Sequence, residues 1–72
     1  MPMTTSVDFK IVGITEIPSL SLIYAQNEEA FNYLTDELDM AYLQDGSCPI
    51  DRSRVGDFIS DTAFAHMCCS YQ

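Results

Sequence analysis

Near the start of the chain, apolar and polar side chains trade places every second residue. Val7, Phe9 and Ile11 alternate with Asp8, Lys10 and Val12, the period of two that a strand with one buried face requires. Gly13 interrupts the pattern, and Pro18, which has no amide hydrogen to give to a ladder, marks a turn or a strand start. Beyond it Leu20, Leu22 and Tyr24 alternate with Ser19, Ser21 and Ile23, predicting a second strand over residues 19–25. Two strands so close in sequence pair most simply as an antiparallel hairpin. Residues 1–6, small and polar around Pro2, are expected to fray.

The period then lengthens. Ala30, Phe31, Leu34, Leu38, Ala41 and Tyr42 recur at three- and four-residue steps and fill one arc of about 120° at 100° per residue, which predicts a helix over residues 28–43. Asn27 is its N-cap, and Glu28 and Glu29 sit at the positive end of its dipole. Thr35, ahead of Asp36 and Glu37, marks a place for a kink. Residues 44–49, Gln-Asp-Gly-Ser-Cys-Pro, are turn chemistry that ends the element. Downstream, Asp51 is a second candidate cap, and Val55, Phe58 and Ile59 share a face. A rigid helix continued to Tyr71 would put Phe64, Met67, Cys68 and Tyr71 on the opposite face. A break near Ser60, Asp61 and Thr62 brings both stripes to one core, so two short helices are predicted, over residues 52–59 and 62–69. The expected architecture is a single α+β domain over residues 1–72, an N-terminal antiparallel β-hairpin packed against two or three helices.

Composition narrows what such a domain does. Leu, Ile, Val and Phe make up 18 of the 72 residues, a quarter of the chain, so it has enough apolar side chains to fold despite its charge. A core of this size gives only about 3–5 kcal/mol of net stability. Eleven Asp and Glu against three Lys and Arg set a net charge of −8, and Lys10, Arg52 and Arg54 are too few to grip phosphates, which excludes a basic nucleic-acid-binding or membrane-binding patch. Cys48, Cys68 and Cys69 are odd in number, with two adjacent, a poor disulfide framework and a sign of a reducing compartment. The N-terminus lacks a basic start followed by an apolar stretch, and the longest apolar run covers only residues 22–25, so a soluble, cytoplasmic protein is expected.

No motif names a catalytic activity, and the chain reads as non-enzymatic, without cofactor or metal. Cys48, His66, Cys68 and Cys69 lack a Cys-x-x-Cys pair, and adjacent cysteines on a helix point about 100° apart. No residue stands at a recognisable spacing to orient the His66 imidazole for nucleophilic catalysis. Asp39 to Asp51 fails the calcium-loop pattern because Ala41 and Leu43 occupy ligand positions. What exceeds background is the placement of charge. Residues 11–51 contain no Lys or Arg and hold eight carboxylates: Glu16, Glu28, Glu29, Asp36, Glu37, Asp39, Asp45 and Asp51. On the expected helix, Glu28, Glu29, Asp36 and Asp39 form a ridge roughly 16 Å long, opposite the apolar arc. A surface that merely keeps a protein soluble intersperses both signs of charge. The candidate partner-binding residues are therefore Glu28, Glu29, Asp36, Glu37, Asp39 and Asp45, with Tyr33 and Met40 as neighbouring anchors.

In size, acidity and lack of any catalytic motif, with its dense acidic run from Glu28 to Asp51, the chain resembles the small phage-encoded inhibitors, anti-CRISPR proteins and other DNA mimics. The resemblance implies stoichiometric inhibition: the acidic surface occupies the nucleic-acid-binding site of a basic partner such as a CRISPR effector complex, in the cytoplasm of the host cell. The alternative is a small interaction or regulatory module, homodimeric in one form, that binds through an apolar and aromatic edge.

Overall fold

The computed structural model describes residues 7–71, so the fraying expected of residues 1–6 lies outside the described residues. The first two predicted strands form as an antiparallel hairpin, β1 (Phe9–Gly13) and β2 (Leu20–Ala25), with Ile11 opposite Ile23 and Val12 opposite Leu22. This register points Phe9, Ile11, Ser21 and Ile23 to one face, where all four are buried. Asn27 caps the first helix, α1 (Glu28–Asn32), its Oδ1 accepting from the Ala30 amide at 2.7 Å. The chain then crosses to β3 (Cys48–Asp51), passes a 3₁₀ turn at Arg52–Arg54, runs along α2 (Val55–Phe64) and closes with β4 (Cys69–Tyr71).

The four strands lie in the order β3-β2-β1-β4. β3 pairs antiparallel with β2, whereas β4 pairs parallel with β1, Phe9 beside Cys69. The sheet is thus mixed and the fold is α+β. Ala30 and Leu34 from α1 and its continuation, and Val55 and Phe58 from α2, meet Phe9, Ile11, Ile23 and Cys48 in one core. Phe9 is its hub, with the Phe58 ring edge-on at 5.4 Å and the Tyr33 ring tilted at 5.9 Å. Both helices therefore cover the same face of the sheet. Alternation sends Lys10, Val12, Leu22, Tyr24 and Pro49 to the other face, where the four apolar side chains remain partly exposed.

Three expectations fail, each for a physical reason. The helix expected to reach residue 43 is much shorter. After Asn32 it widens into a π-helical turn (Tyr33–Glu37), the Leu38 amide reaching the Tyr33 carbonyl at 3.1 Å and the Met40 amide the Leu34 carbonyl at 2.9 Å. Asp36 and Glu37 load negative charge onto the negative end of the dipole, and no basic residue offsets it. Thr35 also turns its hydroxyl back onto the Phe31 carbonyl at 3.1 Å, a bond that bends helices. Asp39 ends the element in the left-handed region, φ 53°, which aspartate tolerates. Ala41 and Tyr42 then lie in a loop, where the Tyr42 ring packs edge-on against Phe31 at 5.1 Å.

The turn expected over residues 44–49 ends early, and its last two residues open β3. Gly46, at φ 89°, makes the reversal, and Asp45 locks it by accepting from the Ser47 amide at 2.9 Å and hydroxyl at 2.6 Å. Pro49 is tolerated within a strand because β3 is an edge.

The third failure concerns the C-terminal third, where one helix of ten residues replaces the two expected. Thr62 turns inward and is buried, continuing the stripe of Val55 and Phe58, so no break is needed at Ser60 to Thr62. The cost falls on Phe64, which projects into solvent at 88% exposure. His66, in the left-handed region at φ 68°, reverses the chain so that residues 69–71 become a strand on the free edge of β1. Asp51 precedes the 3₁₀ turn in an extended conformation and makes no side-chain cap bond.

Ser21 is fully buried on the core face and its hydroxyl has no hydrogen-bond partner among the described residues. Replacing Ser21→Ala removes an unsatisfied polar atom at almost no change in volume and should raise stability by about 1 kcal/mol. The readout is a higher urea midpoint at unchanged slope. An unchanged or lower midpoint would show that the hydroxyl is satisfied after all.

Candidate acidic interface

The acidic face begins with a local structure that the sequence dictates. Asn27 starts α1 so that Glu28 and Glu29 occupy its first turn, exposed beside the free amides. Asp36 and Glu37 follow one and two positions after Thr35, in the π-helical turn. At 100° per residue Asp36 already stands about 20° from Glu29, and the wider turn draws Glu37 to the same side. The outcome is an open cleft of about 520 Å³ whose walls include Glu29, Asp36 and Glu37 from the helix and Asp8 from the lead-in to β1. Tyr33 and Asn32 line the helical wall, and Ala65, His66 and Met67 supply the opposite one. Among the described residues, no Lys or Arg lines it.

Asp8 is held in place by groups far away in sequence. Its Oδ2 accepts from the Cys68 amide at 3.0 Å and its Oδ1 from the Asn27 side-chain amide at 2.8 Å. Its own amide donates to the Cys68 carbonyl at 3.0 Å, and its carbonyl accepts from the Gln26 amide at 2.8 Å. The Cys68 amide, and after it the Asn27 amide, hold the Asp8 carboxyl below its ordinary value, against a smaller opposing effect of burial. Asp8 is thus charged and fixed at the cleft wall.

All six sequence-predicted carboxylates are exposed, but they do not form one ridge. Glu29, Asp36 and Glu37 share the cleft, with Glu28 beside them on the first turn of α1. Asp39 lies past the helix end, so its expected place on the ridge beside Glu28 is lost with the helix that was to carry it. Asp45 serves its own turn, and the Ser47 hydroxyl and then the Ser47 amide lower its pKa. Of the expected anchors, Tyr33 lines the cleft while its ring rests on Phe9, whereas Met40 packs against the core away from the cleft. Asp8 and His66 were not foreseen as cleft residues, because the parallel pairing of β4 with β1 that brings them in has no signal at local spacing.

Among the described residues, no three His, Cys, Asp or Glu side chains converge as a metal ion would require. Cys48 is in the core, Cys69 is half-buried and Cys68 is exposed; burial pushes the Cys48 and Cys69 thiols up, making both poorer nucleophiles at neutral pH. Also among the described residues, no helix is long and apolar enough to cross a membrane. Comparison with protein-family models, curated proteins and solved structures gives no match for this chain.

The Asp8 bonds set a pH dependence. A carboxyl with a lowered folded-state pKa contributes stability that is present above its unfolded value, near 3.8, and is lost as pH falls through the folded value. Asp8→Ala should therefore lower the urea midpoint at neutral pH, and the gap to the parent protein should narrow as the pH drops below 3.8. A gap that stays constant down the acid limb would mean the carboxylate is not what holds the junction.

Proposed function

We propose that the protein is a non-catalytic inhibitor that imitates the phosphate backbone of DNA and occupies the nucleic-acid-binding site of a basic partner, of which a CRISPR effector complex is one example. The observation that carries this reading is the cleft in which Glu29, Asp36, Glu37 and Asp8 gather with no Lys or Arg among the lining residues. Glu28 to Glu37 covers roughly 13 Å of helix. Phosphates on one strand follow every 3.4 Å of helix axis, so the acidic face matches a few successive phosphates. Lys and Arg of the partner would meet carboxylates where they otherwise meet phosphate oxygens. Association would be steered by charge and weakened by salt. The cytoplasm of the host cell is the compartment this reading requires.

The test is affinity capture followed by competition. The parent protein should retain a nucleic-acid-binding partner that a DNA duplex displaces, and retention should fall steeply as salt is raised. Replacing Glu28, Glu29, Asp36 and Glu37 by Lys should abolish retention while the circular dichroism spectrum stays folded. Retention that survives both the substitutions and the duplex would sink the idea.

The helix-free face of the sheet supports a second reading, a small homodimeric interaction module. Val12, Leu22 and Pro49 form one row across three strands with Tyr24 alongside, and alternation adds the charged side chains of Lys10 and, opposite Leu20 at the end of the face, Asp51. Two copies of a chain carrying −8 meet with least repulsion through a face that is poor in carboxylates. Leu22→Glu would then convert a dimer to a monomer in sedimentation equilibrium, and a parent protein that is monomeric at high concentration would eliminate this reading.

A further inference from the structure

A second concavity, of about 420 Å³, opens between α2, the edge strand β3 and the loop that follows the π-helical turn. It shares no lining residue with the acidic cleft. Its apolar lining includes Leu38, Met40, Ile50 and Phe58; Leu38 is 39% exposed, and Met40 and Ile50 are half-buried. Its charged lining is Asp51, Asp57, Asp61 and Arg54. Asp57 and Asp61 stand one turn apart along α2, with Phe58 between them in sequence. Three carboxylates against one guanidinium leave the rim negative around an apolar centre.

We propose that this groove docks a basic amphipathic segment of a partner protein, an apolar side chain entering over Leu38 and Phe58 while flanking Lys or Arg side chains meet Asp57 and Asp61. A purely hydrophilic cation gains nothing from the apolar centre, and a purely apolar segment leaves the rim carboxylates without partners. A second copy of this chain is a poor occupant, because it carries eleven carboxylates against Lys10, Arg52 and Arg54, and of these three only Lys10 stands beside an exposed apolar row. The inference goes beyond phosphate mimicry and does not depend on it, since phosphate mimicry calls on charge whereas the groove adds an apolar grip. Neither Asp57 nor Asp61 belongs to the acidic stretch of residues 11–51.

The experiment uses two fluorescent synthetic peptides of equal length and equal lysine content, one with leucines along one helical face and the other with serines in their place. At physiological salt the leucine peptide should bind at least about tenfold more tightly, the effect of burying one such side chain. Amide chemical-shift changes in the isotope-labelled protein should centre on Leu38, Met40, Ile50 and Phe58. Asp57→Lys with Asp61→Lys should weaken that peptide by about tenfold or more, whereas Glu28→Lys with Glu29→Lys should leave it within about twofold. Leu38→Gln, a change at an exposed position that leaves every charge in place, should weaken the leucine peptide and not the serine peptide. Equal affinity for the two peptides, or shifts centred on α1, would overturn the proposal. Either result would leave the capture and duplex-competition outcome for the acidic cleft unaffected.

Discussion

The Asp8 carboxylate is the junction on which the helical layer and the last strand both depend. It joins a residue 60 positions away through the Cys68 amide and one 19 positions away through Asn27, whose other side-chain atom caps α1. The relay runs from the Cys68 amide through Asp8 and Asn27 to the Ala30 amide, tying β4, β1 and α1 into one frame. Each of these groups would otherwise be a strand-end or helix-end donor in search of a partner. The junction thus ties the start of the last strand and the start of the first helix to the lead-in to β1. The same carboxylate forms part of the cleft wall, so a single ionisation underlies both the architecture and the acidic surface.

Charge is distributed by layer. The cleft and the groove, with most of their carboxylates, lie around the two helices, while the sheet face opposite carries Lys10 and partly exposed apolar side chains, with Asp51 at its end. A protein with separate acidic and apolar faces offers a partner two different kinds of contact at once. Repulsion among like charges on a short helix costs a few tenths of a kcal/mol per pair. Here the helix yields: a π-helical turn replaces the later α-helical turns, and the element stops at Asp39. The local break in regularity draws Glu37 in beside Glu29 and Asp36.

Much of this was legible in the sequence where the signal is local. The period-two pattern around Phe9 and Ile11 located the hairpin, and Asn27 followed by two glutamates located the start of α1. Elsewhere the local signal was overruled by partners distant in the chain. Cys48 and Pro49 looked like the end of a turn because Pro49 reads as a breaker, and only the neighbouring β2 shows that residues 48–51 form an edge strand. Residues 69–71 carried a helical period but were drawn into a strand by the open edge of β1. The candidate site divides along the same line. Glu29 and Asp36 were readable from helical spacing and Glu37 only from the acidic stretch, whereas Asp8 and His66 were not readable, because a parallel strand pair brings them in.

That parallel pair has a consequence for the order of events during synthesis. Cys69 is placed beside Phe9, so β1 gains this neighbour only after a residue 60 positions further on has left the ribosome. At about 5–20 residues per second, β1 waits roughly 3–12 s for its outer neighbour. Throughout that interval one edge of the hairpin is bare, with backbone donors and acceptors that any extended peptide could engage. The nascent chain therefore depends on its acidity in a way the finished fold does not, since like-charged chains repel one another while that edge stands open.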